Sequence, residues 1–345
     1  MTLYVSPILL LALGLTGVIQ EQAIPRSSDE ITQLHAVAFA PRASPHSQAQ
    51  SSASTGTYTM HVNADEVVLN CTVLNSKGEL VNDLTKDGFA VSEDKTRQKV
   101  ISLQHQDIPV SIGMLIDNSG SMRNKREAVT TAALDLIKAS NPRGETFVVN
   151  FSDQLYFDQD FTDDLQLLKR GLAHVNSSGG TALYDTIVSA SQKMGKTASR
   201  SRHVLIVITD GQDNASKLAL DNAIHSVQDM QGPIIYSIGL LFDTESSRGE
   251  VHRARRDLET LSKETGGIAF FPKSLEDIDH VAAEVAQDIR NQYTLSYHSS
   301  RSLTAGYHSV TVEAHHSGRD KMIVHTRSGC LSKGTPENNT GSSKQ

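Results

Sequence analysis

Between Val110 and residue 291 the chain alternates continuous apolar runs with amphipathic segments. The runs Val110–Ile116, Thr146–Phe151, Val204–Thr209, Ile234–Leu240 and Ile268–Phe271 predict strands, and a small edge strand is expected near Tyr156. Segments 122–139, 163–175, 182–196, 218–230, 253–265 and 275–290 predict helices. In the last of these, Ile278, Val281, Ala282, Val285 and Ile289 keep the i, i+3, i+4, i+7 spacing of one buried face. Strands that are apolar throughout, set between amphipathic helices, imply a mainly parallel sheet covered on both sides, an α/β fold.

The flanks follow a different period. Glu66–Leu74 alternates, with Val67, Leu69, Cys71 and Val73 on one side; Asn75–Gly78 reads as a turn, and Gly88–Ser92 and Gln98–His105 as further strands. After residue 291, strands return at Gln292–His298, Tyr307–His315 and Lys321–Thr326, with a tight turn at Ser317–Arg319. Neither group has enough strands to close a core alone. Together they predict a smaller β-sandwich-like domain, its first part at 58–107 and its completing strands at 292–331, with the α/β domain 108–291 inserted between them.

The ends carry other signals. Residues 1–20 hold the apolar stretch Leu3–Ile19, whose length suits a secretory signal peptide and is short for a membrane span. An uncleaved N-terminal anchor and a buried core helix are the alternatives; export is expected. Residues 21–57 are rich in Ser, Ala and Pro, and 332–345 in Ser, Gly, Asn and Lys, compositions that cannot offset the entropy of ordering, so a disordered tether and tail are expected.

Composition adds mainly exclusions. A formal net charge of −7 over 345 residues gives no electrostatic case for nucleic acid, and 5% aromatics without Trp offer no stacking platform. The two cysteines, Cys71 and Cys330, read as buried thiols, with a disulfide joining the ends of the folded region as the alternative.

Candidate chemistry lies at strand ends. Met114-Leu-Ile-Asp117-Asn-Ser119-Gly-Ser121 closes one apolar strand and Ile206-Val-Ile-Thr209-Asp210-Gly211 another, with Ser178-Gly-Gly-Thr181 between them. In a parallel α/β sheet all three segments would fall outside the carboxyl ends of the strands, where such folds bind ligands. Asp117, Ser119, Ser121, Thr181 and Asp210 then offer two carboxylates and three neutral hydroxyls, a set suited to a hard divalent cation such as Mg²⁺. The competing explanation is helix capping: Ser119, Ser121 and Thr181 each precede a helix, where a hydroxyl ordinarily serves as N-cap. Asp153, Asp185 and Asp213 lie near these segments and read as solvated surface or as outer supports of the site.

With these segments in place, the chain resembles von Willebrand factor type A proteins. Asp117-Asn-Ser-Gly-Ser121, Thr181 and Thr209-Asp210-Gly211 match the metal-ion-dependent adhesion site of that family. The flanking segments Asp83–Asp94, Arg143–Phe151, Phe270–Ser274 and Asp288–Leu295 are similar to a group of exported bacterial relatives. The resemblance implies a Rossmann-like domain that binds Mg²⁺ or Mn²⁺ and serves protein–protein interaction. It implies that Ser119 and Ser121 ligate directly, that Thr181 and Asp210 act directly or through water, and that Asp117 acts through water. The expected function is an exported, non-enzymatic adhesion-type module that binds an Asp or Glu carboxylate of a protein partner through the ion. No nucleic acid is expected, and membrane contact only through an uncleaved N-terminal segment. The alternatives are a cell-envelope scaffold whose ion only staples loops, and a metal-assisted hydrolase; for the latter, Gly-x-Ser-x-Gly and Walker-type motifs are missing.

Overall fold

The computed structural model describes residues 66–173, 178–242, 246–300, 304–316 and 321–332. The expected signal or anchor segment, the tether, the Ser317–Arg319 turn and nearly all of the tail lie outside the described residues. The chain opens with β1 (Glu66–Leu74), β2 (Phe89–Glu93), β3 (Thr96–Gln98) and β4 (Val100–His105). The α/β part follows: β5 (Val110–Asp117), α1 (Arg126–Ala139), β6 (Glu145–Phe151), β7 (Leu155–Thr162), α2 (Leu165–Leu172), α3 (Leu183–Thr197), β8 (Arg202–Thr209), α4 (Leu220–Asp229), β9 (Ile234–Gly239), α5 (Arg248–Thr265), β10 (Ala269–Phe270) and α6 (Ile278–Arg290). β11 (Tyr293–His298), β12 (Gly306–Ala314), β13 (Ile323–His325) and β14 (Gly329–Ser332) complete it.

The central sheet has the order β10-β9-β8-β5-β6-β7, parallel except for the antiparallel edge strand β7. Its apolar runs are continuous because alternate residues serve two cores. Ile112, Met114, Ile116, Ile206 and Ile208 pack with α1, α2 and α6. Leu115, Phe147, Val149, Leu205 and Val207 pack with α3, α4 and α5. At Gly113 the second core leaves no room for a side chain: an added Cβ would lie 2.4 Å from Leu205 Cδ2 and 2.5 Å from the Phe147 ring.

Two antiparallel sheets, β13-β1-β11-β4 and β14-β12-β2-β3, form the smaller domain. Their inner faces share one core that includes Leu69, Cys71, Phe89, Val91, Tyr293, Leu295, Tyr297, Val310, Val312 and Cys330. Strands from both flanks thus close a sandwich around an inserted α/β domain. Cys71 and Cys330 are both free and buried, and burial pushes the Cys71 thiol up to about 12. The disulfide alternative is not formed.

Several boundaries differ from expectation. β3 and β14 were not foreseen: Thr96-Arg97-Gln98 has two exposed residues and no apolar run, and β14 is a short edge. α1 starts at Arg126 because Gly120–Met122 form a 3₁₀ turn. α5 starts five residues early, at Arg248, where Ser247 and Glu250 make a reciprocal capping box.

Buried polar side chains join the two parts. Arg202, at the start of β8, donates to Ile289 O (3.1 Å) and Thr294 Oγ1 (3.0 Å). Tyr236 donates to Asp288 Oδ2 (2.5 Å) and accepts from Gln292 Nε2 (2.8 Å). Burial raises the Asp288 carboxyl to about 6, against lowering contributions from its hydrogen bonds and Arg202.

Candidate metal-ion site at the carboxyl edge of the sheet

β5 and β8 are neighbours at the centre of the sheet, and the chain leaves them in opposite directions. From β5 it passes through α1 to β6; from β8 it passes through α4 to β9 on the other side. A crevice opens outside the carboxyl ends of strands where the order reverses in this way. β5 ends in Asp117 and β8 in Thr209, so both motif segments emerge at this crevice. The loop before α3 lies against them. Ala182 N donates to Ser152 O (2.6 Å), and Thr181 O accepts from Asn214 N (3.0 Å) and Ala215 N (3.2 Å).

Asp117 is fully buried at the floor. Its Oδ1 accepts from Ser119 N (2.8 Å) and its Oδ2 from Thr209 Oγ1 (2.5 Å). Burial raises its carboxyl to about 6; the bonds from Thr209 and Ser119 pull it down, and the charge of Asp210 pushes it up. Ser119 Oγ lies 3.2 Å from Ser121 Oγ, which donates to Asp210 Oδ1 (2.7 Å). Ser119, Ser121, Thr181 and Asp210 all line a cavity of about 260 Å³, whose rim includes Gln212, Asn214, Ser246 and Glu250. A larger cavity of about 570 Å³ lies where the sandwich meets the α/β part, lined by Glu66, Glu93, His203 and Arg327 among others. It is remote from the switch point and gathers no comparable set of hydroxyls and carboxylates.

Residues 112–212, which span all five candidate positions, match the family model described as von Willebrand factor type A domain. The chain contains a von Willebrand factor type A domain. Such domains are often involved in protein–protein adhesion. Among solved structures, the chain is similar to the conserved hypothetical protein BatB of Bacteroides thetaiotaomicron, with 17% identity over 52% of this chain and 98% of that one (TM-score 0.41). It is also similar to the vWF domain of the type V pili tip protein Mfa5 of Porphyromonas gingivalis, with 14% identity, 53% and 95% coverage and a TM-score of 0.44. A von Willebrand factor type A protein of Catenulispora acidiphila shows 13% identity over 71% of this chain and 74% of that one (TM-score 0.44). No curated protein matches the chain.

Within the von Willebrand factor type A domain, the hydroxyls are not used as helix caps. Lys125 occupies the N-cap of α1 and Ala182 that of α3, neither with a side-chain capping bond, and Ser119 makes none to the 3₁₀ turn it precedes. All five candidate side chains therefore meet at one place with oxygen atoms only. Among the described residues no group of three or more His, Cys, Asp or Glu is assembled, so an ion here would take hydroxyls as well as carboxylates. That donor set fits a hard divalent ion.

The outer acidic residues are structural. Asp185 accepts from Lys217 N (2.9 Å) and Leu218 N (3.1 Å), and Asp213 from Tyr184 N (2.9 Å) and Ser216 Oγ (2.6 Å). They clasp the start of α3 to the loop after β8 rather than sitting in solvent. Asp153 packs against Gly179, whose φ of +84° and lack of Cβ (an added one would be 2.8 Å from Asp153 Oδ1) permit the turn into Thr181. Asn214 also belongs to the site, its Oδ1 accepting from Thr181 N (2.8 Å). Lys125 does too, its Nζ 2.7 Å from Asp210 Oδ2. Sequence reasoning missed both, because each is tied to the site by a partner far away along the chain.

Proposed function

We propose that this protein is an exported, metal-dependent binding module in which Asp117, Ser119, Ser121, Thr181 and Asp210 hold Mg²⁺, or Mn²⁺, for recognition of a protein carboxylate. The observation that carries the reading is the meeting of these five oxygen-bearing side chains at the switch point of the sheet, beside an open polar cavity. When bound, the ion supplies an electrophilic centre for an Asp or Glu oxygen of the partner. Ser119, Ser121 and Thr181 are neutral ligands, so they hold the ion without quenching its charge. Asp117 and Thr209 form the floor and fix the orientation of the Ser119 loop. Gln212, Asn214, Ser246 and Glu250 at the rim offer hydrogen bonds to a hydrophilic partner, and none of them is apolar. The Leu3–Ile19 run supports export; among the described residues no helix is long and apolar enough to cross a membrane.

The test is selection of a displayed peptide library on the full chain. Peptides centred on Asp or Glu should be enriched in Mg²⁺, eluted by EDTA, and not retained by a folded Asp117→Ala variant. Retention that is equal in EDTA, or that ignores acidic residues, refutes the reading.

A further inference from the structure

Lys125 is out of place by the ordinary logic of helix ends. It stands immediately before α1, where the helix dipole disfavours a cation and a Ser, Asp or Asn would usually serve. It is also buried. Its Nζ contacts Asp210 Oδ2 at 2.7 Å and Leu240 O at 3.4 Å, and lies 5.5 Å from the centre of the Phe242 ring. The side chains of the pair are only 8% and 0% exposed, so the ammonium sits on Asp210 with little screening by solvent. The other Asp210 oxygen accepts from Ser121. One of the two carboxylates at the site therefore already faces a cation tethered to the chain.

We propose that Lys125 is a built-in competitor for the divalent ion. The inference rests on the reading of the site as an ion site. An ion that takes Asp210 as a ligand must either displace the ammonium or share the carboxylate with a like charge, and both lower its affinity. The carbonyl of Leu240 and the face of Phe242 give the ammonium partners that do not depend on Asp210, so it can yield without being left unsatisfied. The site then fills only where free ion is plentiful. Once it is filled, the retained positive charge adds to the attraction for an anionic partner. Weak ion binding and strong carboxylate binding come from the same side chain.

The test is titration of Mn²⁺ into the full chain, followed by calorimetry, for the wild type, Lys125→Met, Lys125→Gln and Lys125→Arg. Removing the charge should tighten Mn²⁺ binding about tenfold or more, whereas Arg, which keeps it, should stay within about threefold of the wild type. Gln retains a donor to Asp210 and serves if Met does not fold. Met should also melt lower than the wild type in EDTA and gain more in Tm when Mn²⁺ is added. Unchanged or weaker binding in Met and Gln, or equal tightening in Arg, overturns the competition. If the wild type binds Mn²⁺ in that case, the ion reading stands. Absence of Mn²⁺ binding in all four proteins overturns both.

Discussion

Asp117 should stabilise function at the expense of the fold, and the magnitude follows from its burial. An ordinary aspartate has a pKa near 3.8, whereas this one is held at about 6. Folding at neutral pH therefore forces a charge into a place that resists it, at a cost of about 3 kcal/mol when each pKa step is worth about 1.36 kcal/mol. The sign is that of a carboxyl that binds its proton more tightly when folded. Its contribution is complete below pH 3.8 and is lost as the pH rises through about 6. Asp117→Asn removes the charge but keeps an acceptor for Ser119 N and a donor toward Thr209 Oγ1. Arg126, whose own charge is favoured by Asp117, loses an attractive neighbour, which offsets part of the gain. Urea unfolding of the full chain in EDTA at pH 7 should therefore show the variant more stable by about 1–3 kcal/mol. The difference should shrink toward pH 4. In saturating Mg²⁺ the order should narrow or reverse, because only the wild type gains binding energy from the ion. A variant no more stable than the wild type at pH 7 in EDTA, or a gap that does not depend on pH, would refute the reasoning.

Two further outcomes are expected. Gly179→Ala places a Cβ 2.8 Å from Asp153 Oδ1 at a positive φ, and should lower stability by about 1–3 kcal/mol and weaken Mn²⁺ binding in the same titration; unaltered melting and binding would show that the turn does not position Thr181. Asp288→Asn should flatten the fall in stability between pH 4 and pH 6, because its carboxyl is also raised to about 6 by burial; the urea series used for Asp117 reads this directly, and an unchanged slope counts against it.

The α/β fold was legible because the two cores draw on alternate residues of the same strands. Met114 faces one and Leu115 the other, which makes the runs apolar throughout and distinguishes them from the alternating Glu66–Leu74. The five candidate oxygens were legible for a related reason: each follows an apolar strand or a glycine pair, where a polar residue stands out. Lys125 did not stand out, since a Lys at a helix start usually points to water. Its role depends on Asp210, 85 residues further along. Tyr236, Asp288 and Gln292 were equally hidden: the tyrosine sits in an apolar strand and the other two at the end of a helix and just beyond it. Only the packing of β11 against β1 and β4 encloses that corner. The capping explanation for the serines failed on backbone geometry that sequence does not carry, namely the 3₁₀ turn that delays α1 to Arg126.

The α/β domain leaves the sandwich after β4 and returns in β11, and these two strands are direct neighbours, with His105 paired to Tyr293. In the finished molecule the insertion is thus equivalent to a hairpin turn. During synthesis it is a delay. The named strands that flank β1 are β11 and β13, and the one that flanks β4 is β11, so both wait for segments made after residue 292. At about 5–20 residues per second, the roughly 190 intervening residues occupy the ribosome for on the order of ten to forty seconds. Throughout that interval the first half of the sandwich presents unpaired strand edges of the kind that invite association with other chains. The inserted domain can fold in the meantime, and it delivers β11 to β4 already anchored at α6. The order of the chain therefore sets a clock on the sandwich, and slowing the inserted domain's own folding would prolong the exposure of strands that lie outside it.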